Sequence, residues 1–76
     1  MPQLDRITHL PGVMGGRATI RGMRVTVGMI LGELAAGATI EQVLDDFPYL
    51  EREDILQAIG YGAGLAQERM IDLADP

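Results

Sequence analysis

The side chains best suited to chemistry in the first third of the chain are arginines. Arg17, Arg21 and Arg24 lie in one short segment, GGRATIRGMRVTV, and Arg6 stands just upstream. A guanidinium group binds phosphate or guanine through two parallel N–H donors, so this grouping predicts contact with an anion such as DNA. When the chain is divided after Gly28, the first part carries a formal charge of +3 and the remainder −8. The sequence therefore indicates two surfaces of opposite charge that meet different partners.

The residue types that are absent exclude most catalytic chemistry. The sequence contains no Ser, Cys, Lys, Asn or Trp and a single His. Serine and cysteine nucleophiles, Schiff-base lysines and histidine-rich metal centres are therefore excluded, and carboxylates, Thr and Tyr remain. The single histidine, His9, has no second ligand at metal-binding spacing and is interpreted as an ordinary loop residue. We expect a protein that is not an enzyme and that binds no cofactor or metal.

Chain length and composition predict one small domain. With 76 residues and no cysteine, such a domain buries only about 60% of its unfolded surface and has no disulfide to stabilise it. We therefore expect a homodimer. The sequence shows no signal peptide and no apolar run long enough to span a membrane, which favours a cytoplasmic protein.

Hydrophobic periodicity and capping residues predict two short helices. Thr26 is a suitable N-cap for the first helix, and Gly37 suits the left-handed conformation just after its end. Thr39 opens the second helix with Gln42 at the spacing of a capping box, and Pro48 ends it. The apolar residues at helical spacing in the two segments are Val27, Ile30, Leu31, Leu34, Ile40, Val43, Leu44 and Phe47.

A third helix is predicted from Glu51 onward, because the acidic residues of its first turn suit the positive end of the helix dipole. The glycines at positions 60, 62 and 64 each cost about 1 kcal/mol relative to alanine inside a helix. They indicate either that the helix weakens after Ile59 or that it packs very close to a neighbouring element. A phosphate-binding loop is rejected, because GYGAG lacks the required glycine spacing and follows a helical pattern. The predicted inner face consists of Ile55, Ile59, Gly62 and Ala66.

Alternation of apolar and polar residues before the first helix predicts a β-hairpin. It places Ile20 and Val25 on the apolar face and Gly22 in the turn. The fold class is therefore mainly α, a short N-terminal β-hairpin followed by three helices. The predicted single domain consists of an irregular arm over residues 1–14, the β-hairpin over 15–27, a three-helix core over 27–66 and a tail over 67–76.

The order of these motifs resembles the bacterial family called domain of unknown function 433. The resemblance covers residues 7–66 and is carried by GGRATIRGMRVTV, by the connection AGATIEQVLDDFPYL and by the helix start EREDILQAIGYG. It implies a homeodomain-like helix-turn-helix fold preceded by strands. It also implies that many members are antitoxins paired with PIN-type ribonuclease toxins in VapBC-like modules.

Two positions depart from the pattern of that family. Met23 follows the pair Arg21 and Gly22 where Thr is usual, and Glu51 occupies the cap position where Thr or Ser is expected. Glu51 adds a negative charge to the helix that a helix-turn-helix protein inserts into the major groove.

The predicted recognition helix is poorly suited to DNA. The polar residues expected to be exposed at its start are Glu51, Arg52, Glu53, Asp54 and Gln57. Three carboxylates in this position oppose approach to the phosphate backbone. The candidate DNA-contacting residues are instead Arg17, Arg21, Arg24 and Thr26 of the hairpin. The sequence leaves open the alternative that these arginines pair with downstream carboxylates at the fold or dimer surface.

The end of the chain, QERMIDLADP, contains apolar residues suited to docking on another protein. PIN ribonucleases hold Mg²⁺ with clustered carboxylates, so Arg69 could compete with the metal while its apolar neighbours anchor the segment. The alternative is that these residues continue the third helix along its own core or across a dimer. The predicted partner-binding residues are Leu65, Arg69, Met70, Ile71 and Leu73.

These observations lead to three functional hypotheses, of which we prefer the first. It is an antitoxin of a type II toxin–antitoxin module, which neutralises a cognate PIN-type ribonuclease toxin by direct binding and represses its own operon through operator DNA. The second is a stand-alone dimeric DNA-binding transcriptional regulator, and the third is a non-catalytic dimerisation module. The residues themselves indicate a binding protein, whereas the antitoxin role is implied by the family resemblance.

Overall fold

The computed structural model describes residues 4–68. Two short antiparallel strands precede three helices, which confirms the predicted fold class. A single 3-10 turn over Met14–Gly16 lies between the strands. The regular elements are β1 (Ile7–His9), β2 (Ala18–Ile20), α1 (Val27–Ala35), α2 (Ile40–Asp46) and α3 (Arg52–Glu68).

The predicted caps fix the ends of the first two helices. The Thr26 hydroxyl accepts a hydrogen bond from the Met29 N–H at 3.0 Å at the start of α1. At the start of α2, Thr39 and Gln42 form the predicted reciprocal capping box. Gly37 ends α1 with a φ of 104°, a backbone conformation that glycine adopts without steric penalty. These local signals therefore place both helices where the sequence predicts them.

Helix α3 continues through its glycines because one of them lies against α1. A Cβ atom built on Gly62 would lie 2.8 Å from Leu31 Cδ1, so only a glycine fits without a shift of that leucine. The close-packing alternative is therefore confirmed, and the weakening after Ile59 is not seen. The predicted inner face is wrong at Ile59 and Ala66, which are exposed, whereas Ala58 is buried.

The strand pairing differs from the predicted hairpin. Strand β2 pairs with β1, in the register Ile7 with Ile20, Thr8 with Thr19 and His9 with Ala18. The prediction of an irregular arm over residues 1–14 is therefore wrong at β1. The chain does reverse at Gly22, but the second predicted strand is reduced to one bridge between Thr19 and Thr26. It cannot extend further because Thr26 is already the N-cap of α1.

The hydrophobic core lies between the strand pair and the three helices. Strand β2 and the three helices contribute buried side chains to it, and the buried apolar residues are Ile20, Val25, Val27, Ile30, Val43, Leu50, Ile55 and Ala58. Within residues 4–68, no helix has the length and apolar character needed to cross a membrane. The core thus holds the start of α3 against β2 and α1, and this contact positions the polar groups described next.

Candidate functional site

A buried carboxylate at the start of α3 is the centre of the polar structure in this domain. Arg21 donates two parallel hydrogen bonds to it, from Nε to Asp54 Oδ1 at 3.1 Å and from Nη2 to Asp54 Oδ2 at 2.9 Å. Arg21 also donates to the Tyr49 carbonyl at 3.0 Å. Arg21 and Gly22 both have positive φ angles, 48° and 72°, as in the tight turns that reverse a hairpin. The turn therefore directs this guanidinium towards the protein.

A second arginine reaches the same carboxylate from the N-terminal segment. Arg6 Nη1 donates to Asp54 Oδ1 at 3.1 Å and also forms an ion pair with Glu51. The backbone N–H of Glu51 donates to Asp54 Oδ2 at 2.7 Å. We call these four residues, Arg6, Arg21, Glu51 and Asp54, the Asp54 cluster. Glu51 therefore replaces the Thr or Ser expected at the cap position with a side chain that binds Arg6.

The Asp54 cluster shifts the pKa values of Asp54 and Arg6. Burial alone raises the pKa of Asp54, but hydrogen bonds from Arg21, the Glu51 backbone and Arg6 outweigh that effect and lower it. Hydrogen bonds to Glu51 and then Asp54 raise the pKa of Arg6. The carboxylate is therefore ionised throughout the neutral range, and the cluster is a charged structural connection between the strands and α3.

The exposed start of α3 is smaller than the sequence predicts. Asp54 and Gln57 were expected to be exposed, and both are buried. Gln57 accepts a hydrogen bond from the Arg6 backbone N–H at 2.9 Å and donates to Asp5 Oδ1 at 2.8 Å. The residues that remain exposed there are Glu51, Arg52 and Glu53, and Arg52 is paired with Glu41 of α2 at 2.9 Å.

The four candidate DNA-contacting residues fall into two groups. Arg21 belongs to the Asp54 cluster, and the hydroxyl of buried Thr26 caps α1. Arg17 and Arg24 are exposed, and neither makes an ion pair with any side chain that the structure describes. The structure thus brings Arg21 to a carboxylate, as the alternative interpretation expects, and leaves two arginines directed to solvent.

The predicted partner-binding residues lie at the far end of α3. Leu65 is exposed on this helix, and Arg69, Met70, Ile71 and Leu73 lie outside the described residues. Leu56 and Ile59 are also exposed on α3, and the sequence-based prediction did not include them among the partner-binding residues. The heptad-like spacing of apolar residues on a second face of the helix was the signal that could have identified them.

The family model described as Protein of unknown function (DUF433) matches residues 7–62. The chain belongs to the DUF433 family. A crystal structure of a DUF433 member protein from Anabaena variabilis superimposes with a TM-score of 0.78 and 31% sequence identity, covering 84% of this chain and 63% of that one. The uncharacterized protein y4eO of Sinorhizobium fredii is 36% identical over 55 residues, which are 72% of this chain. This chain covers 25% of the length of that relative.

His9, Tyr61 and Glu33 of this DUF433 domain make ordinary structural contacts. The His9 ring lies 3.2 Å from both the Gly16 carbonyl and the Tyr61 hydroxyl, through its two nitrogens. A hydrogen bond with Asp46 raises the pKa of Glu33 at the contact between α1 and α2. Within residues 4–68, no three acidic or histidine side chains converge as a metal site. The described side chains exposed for contact with a partner therefore include Arg17 and Arg24, the apolar residues of α3, and Leu10, Met29 and Tyr49.

Proposed function

We propose that this chain is a non-catalytic binding protein, the antitoxin of a type II toxin–antitoxin module, which neutralises a PIN-type ribonuclease toxin by direct contact. The proposal is supported by membership of the DUF433 family, whose motifs carry the resemblance given above. The observation that carries it is the exposure of Leu65 near the end of α3. A single exposed apolar side chain is common on protein surfaces, so Leu65 supports the proposal through its place in the sequence just before Met70, Ile71 and Leu73, which add apolar groups suited to docking.

The chemistry of the chain following Leu65 fits a ribonuclease that holds Mg²⁺ with carboxylates. The sequence places Arg69 beside Met70, Ile71 and Leu73. An arginine bonds a carboxylate through two parallel N–H groups, and this ion pair competes with the metal for the same oxygens. Apolar neighbours add the buried area that makes such a contact stable. The proposed toxin surface is therefore Leu65 together with this segment.

The proposal is tested with the purified product of the neighbouring gene, which we expect to be a PIN-type ribonuclease. We expect a stoichiometric complex and loss of ribonuclease activity on adding equimolar antitoxin. Leu65→Gln and truncation after Ala66 should each raise the dissociation constant roughly tenfold or more, because they remove apolar anchors. Leu10→Gln is the matched control, since Leu10 is similarly exposed but lies before α3. An unchanged dissociation constant for both variants would place the toxin surface elsewhere, and the absence of a complex would refute the antitoxin role.

Arg17 and Arg24 favour a second activity. This activity is repression of the operon by a helix-turn-helix domain that binds operator DNA. Both are exposed, whereas the start of α3 presents Glu51 and Glu53. Arg24→Gln should lower the slope of log affinity against log salt by roughly one, because one phosphate contact is lost. Glu53→Gln should leave DNA binding intact or improve it. If the arginine variants bind DNA like the wild type while α3 variants lose binding, the DNA surface is on α3.

A further inference from the structure

Helix α3 has a second apolar surface, which is exposed to solvent beside the face that packs on the core. We call Leu56, Ile59, Ala63 and Ala66 the outer stripe. All four are exposed, with 46% of Leu56 and 39% of Ile59 accessible to solvent. Their spacing of three, four and three residues places them on one side of a helix, as in the seam of a coiled coil. The outer stripe is therefore a continuous surface rather than a set of scattered apolar residues.

The composition of α3 indicates that the outer stripe is covered by another protein surface. Residues 56–66, LQAIGYGAGLA, contain no charged side chain. A helix at the surface of a globular protein normally carries charged residues on its solvent face, whereas one that is apolar on both faces is normally buried on both. Here one face packs on the core through Ile55 and Ala58. The other face has no covering element within the described part of the chain.

We propose that the outer stripe binds the outer stripe of a second copy of this chain, with the two α3 helices antiparallel. The stripe has its large residues, Leu56 and Ile59, at one end and its small ones, Ala63 and Ala66, at the other. A two-fold axis between antiparallel helices places Leu56 opposite the Ala66 of the second copy, and Ile59 opposite its Ala63. Each large side chain then meets a small one, which lets the helices approach closely without overpacking.

Electrostatics favour the same arrangement. Antiparallel helices align their dipoles head to tail, whereas parallel ones place the acidic starts of the two α3 helices side by side. At the start of the stripe, Arg52 is neutralised by Glu41, with 2.9 Å between Nη1 and Oε2. The stripe itself carries no charge, so it offers nothing to a nucleic acid, whose binding depends on cationic side chains.

The length of the stripe sets the expected strength of the dimer. From Leu56 to Ala66 the helix rises about 15 Å. A contact of this length buries less surface than the roughly 800 Å² per partner of a standard interface, so a weak dimer is expected. Association in the micromolar range is therefore the expected result, and the experiment must cover that range.

The first test measures the mass of the protein in solution by analytical sedimentation at increasing protein concentration. The wild-type mass should rise from near 8.2 kDa towards twice that value between about 1 and 200 μM. Leu56→Gln and Ile59→Gln should each raise the dimer dissociation constant roughly tenfold or more while leaving the far-ultraviolet circular dichroism unchanged. A wild-type chain that stays monomeric at the highest concentration would refute the proposal.

Leu65→Gln is the matched control. Leu65 lies on the same helix as Leu56 and is 45% exposed, but nine residues correspond to about two and a half turns, which places it on the opposite side. This variant should dimerise like the wild type. A loss of dimer in Leu65→Gln equal to that in Leu56→Gln would refute the assignment to the outer stripe. In the toxin experiment Leu65→Gln is the variant expected to weaken binding, whereas in the dimer experiment it is the control. Each proposal can therefore fail without the other.

The second test determines the direction of the helices by oxidative cross-linking. The chain contains no cysteine, so single-cysteine variants report one position each. Leu56→Cys mixed with Ala66→Cys should form disulfide-linked dimers, because antiparallel pairing brings these positions together. Leu56→Cys alone should not, because its two copies lie about 15 Å apart along the axis. Efficient cross-linking of Leu56→Cys alone would refute the antiparallel arrangement.

Discussion

Replacement of Asp54 by asparagine removes the negative charge that Arg6 and Arg21 share. The Asp54 side chain is fully buried, and the arginine side chains are 28% and 39% exposed. Hydrogen bonds to a charged group contribute about 1.5–3 kcal/mol each. Because both arginines recover part of their hydration, and asparagine still accepts from the Glu51 N–H, we expect a net loss of about 2–3 kcal/mol. A domain of 76 residues has a total stability of roughly 4–11 kcal/mol.

The assay is urea denaturation followed by circular dichroism at one fixed protein concentration. With a slope of about 1 kcal/mol per molar urea, the midpoint should fall by about 2–3 M in Asp54→Asn. Glu41→Gln is the matched control, because it also breaks a carboxylate–arginine pair, but an exposed one that contributes little to stability. A loss in Asp54→Asn no larger than in Glu41→Gln would refute the view that this cluster connects the strands to α3.

Three further outcomes are expected from the pKa of Asp54, the glycines of α3 and the cap of α1. Because the pKa of Asp54 is lowered in the folded state, the ionised carboxylate stabilises the fold above about pH 4, and this stabilisation is lost as the pH falls through the pKa of the folded state. The urea midpoint of the wild type should therefore fall more steeply on acidification than that of Asp54→Asn. Gly64→Ala should stabilise α3 by about 0.5–1 kcal/mol, because no atom lies within 4 Å of the Cβ that alanine would add. Gly62→Ala should be less stable than Gly64→Ala by about 1 kcal/mol, because Leu31 must move to make room. Thermal denaturation measures both differences. Thr26→Ala should cost about 1 kcal/mol in urea denaturation and Thr26→Ser much less, because serine retains the capping hydroxyl; equal losses would contradict the capping role.

The parts of the fold that the sequence predicts are those fixed by neighbours in the chain. Thr26 and Thr39 cap helices through contacts three residues away, and Gly37 ends α1 by its own backbone conformation. Such signals are contained in a few consecutive residues. The first two helices and their ends are therefore predictable from the residues alone.

The parts that could not be predicted depend on distant residues. Strand β1 forms because Thr8 meets Thr19 across eleven positions, with 2.8 Å between their hydroxyl oxygens, and no local pattern at residues 7–9 specifies that pairing. The charge pattern left open whether the arginines bind carboxylates or DNA, because formal charges carry no information on distance. Ile59 was assigned to the core because α3 has two apolar faces, and periodicity alone does not tell which one the core uses.

The contacts of Asp54 also set an order for the assembly of the chain. Arg6 lies 48 positions from this carboxylate and Arg21 lies 33, so neither bond forms until α3 is in place. The helices have mostly local contacts and therefore fold quickly. Docking of the N-terminal strand requires closure of a long loop, which costs entropy, so we expect this strand to dock last. The same strand is then the first to leave when the native state opens partially. Amide hydrogen exchange should therefore be fastest, among the regular elements, in β1, and protection there should fall further when Arg6 is replaced by glutamine.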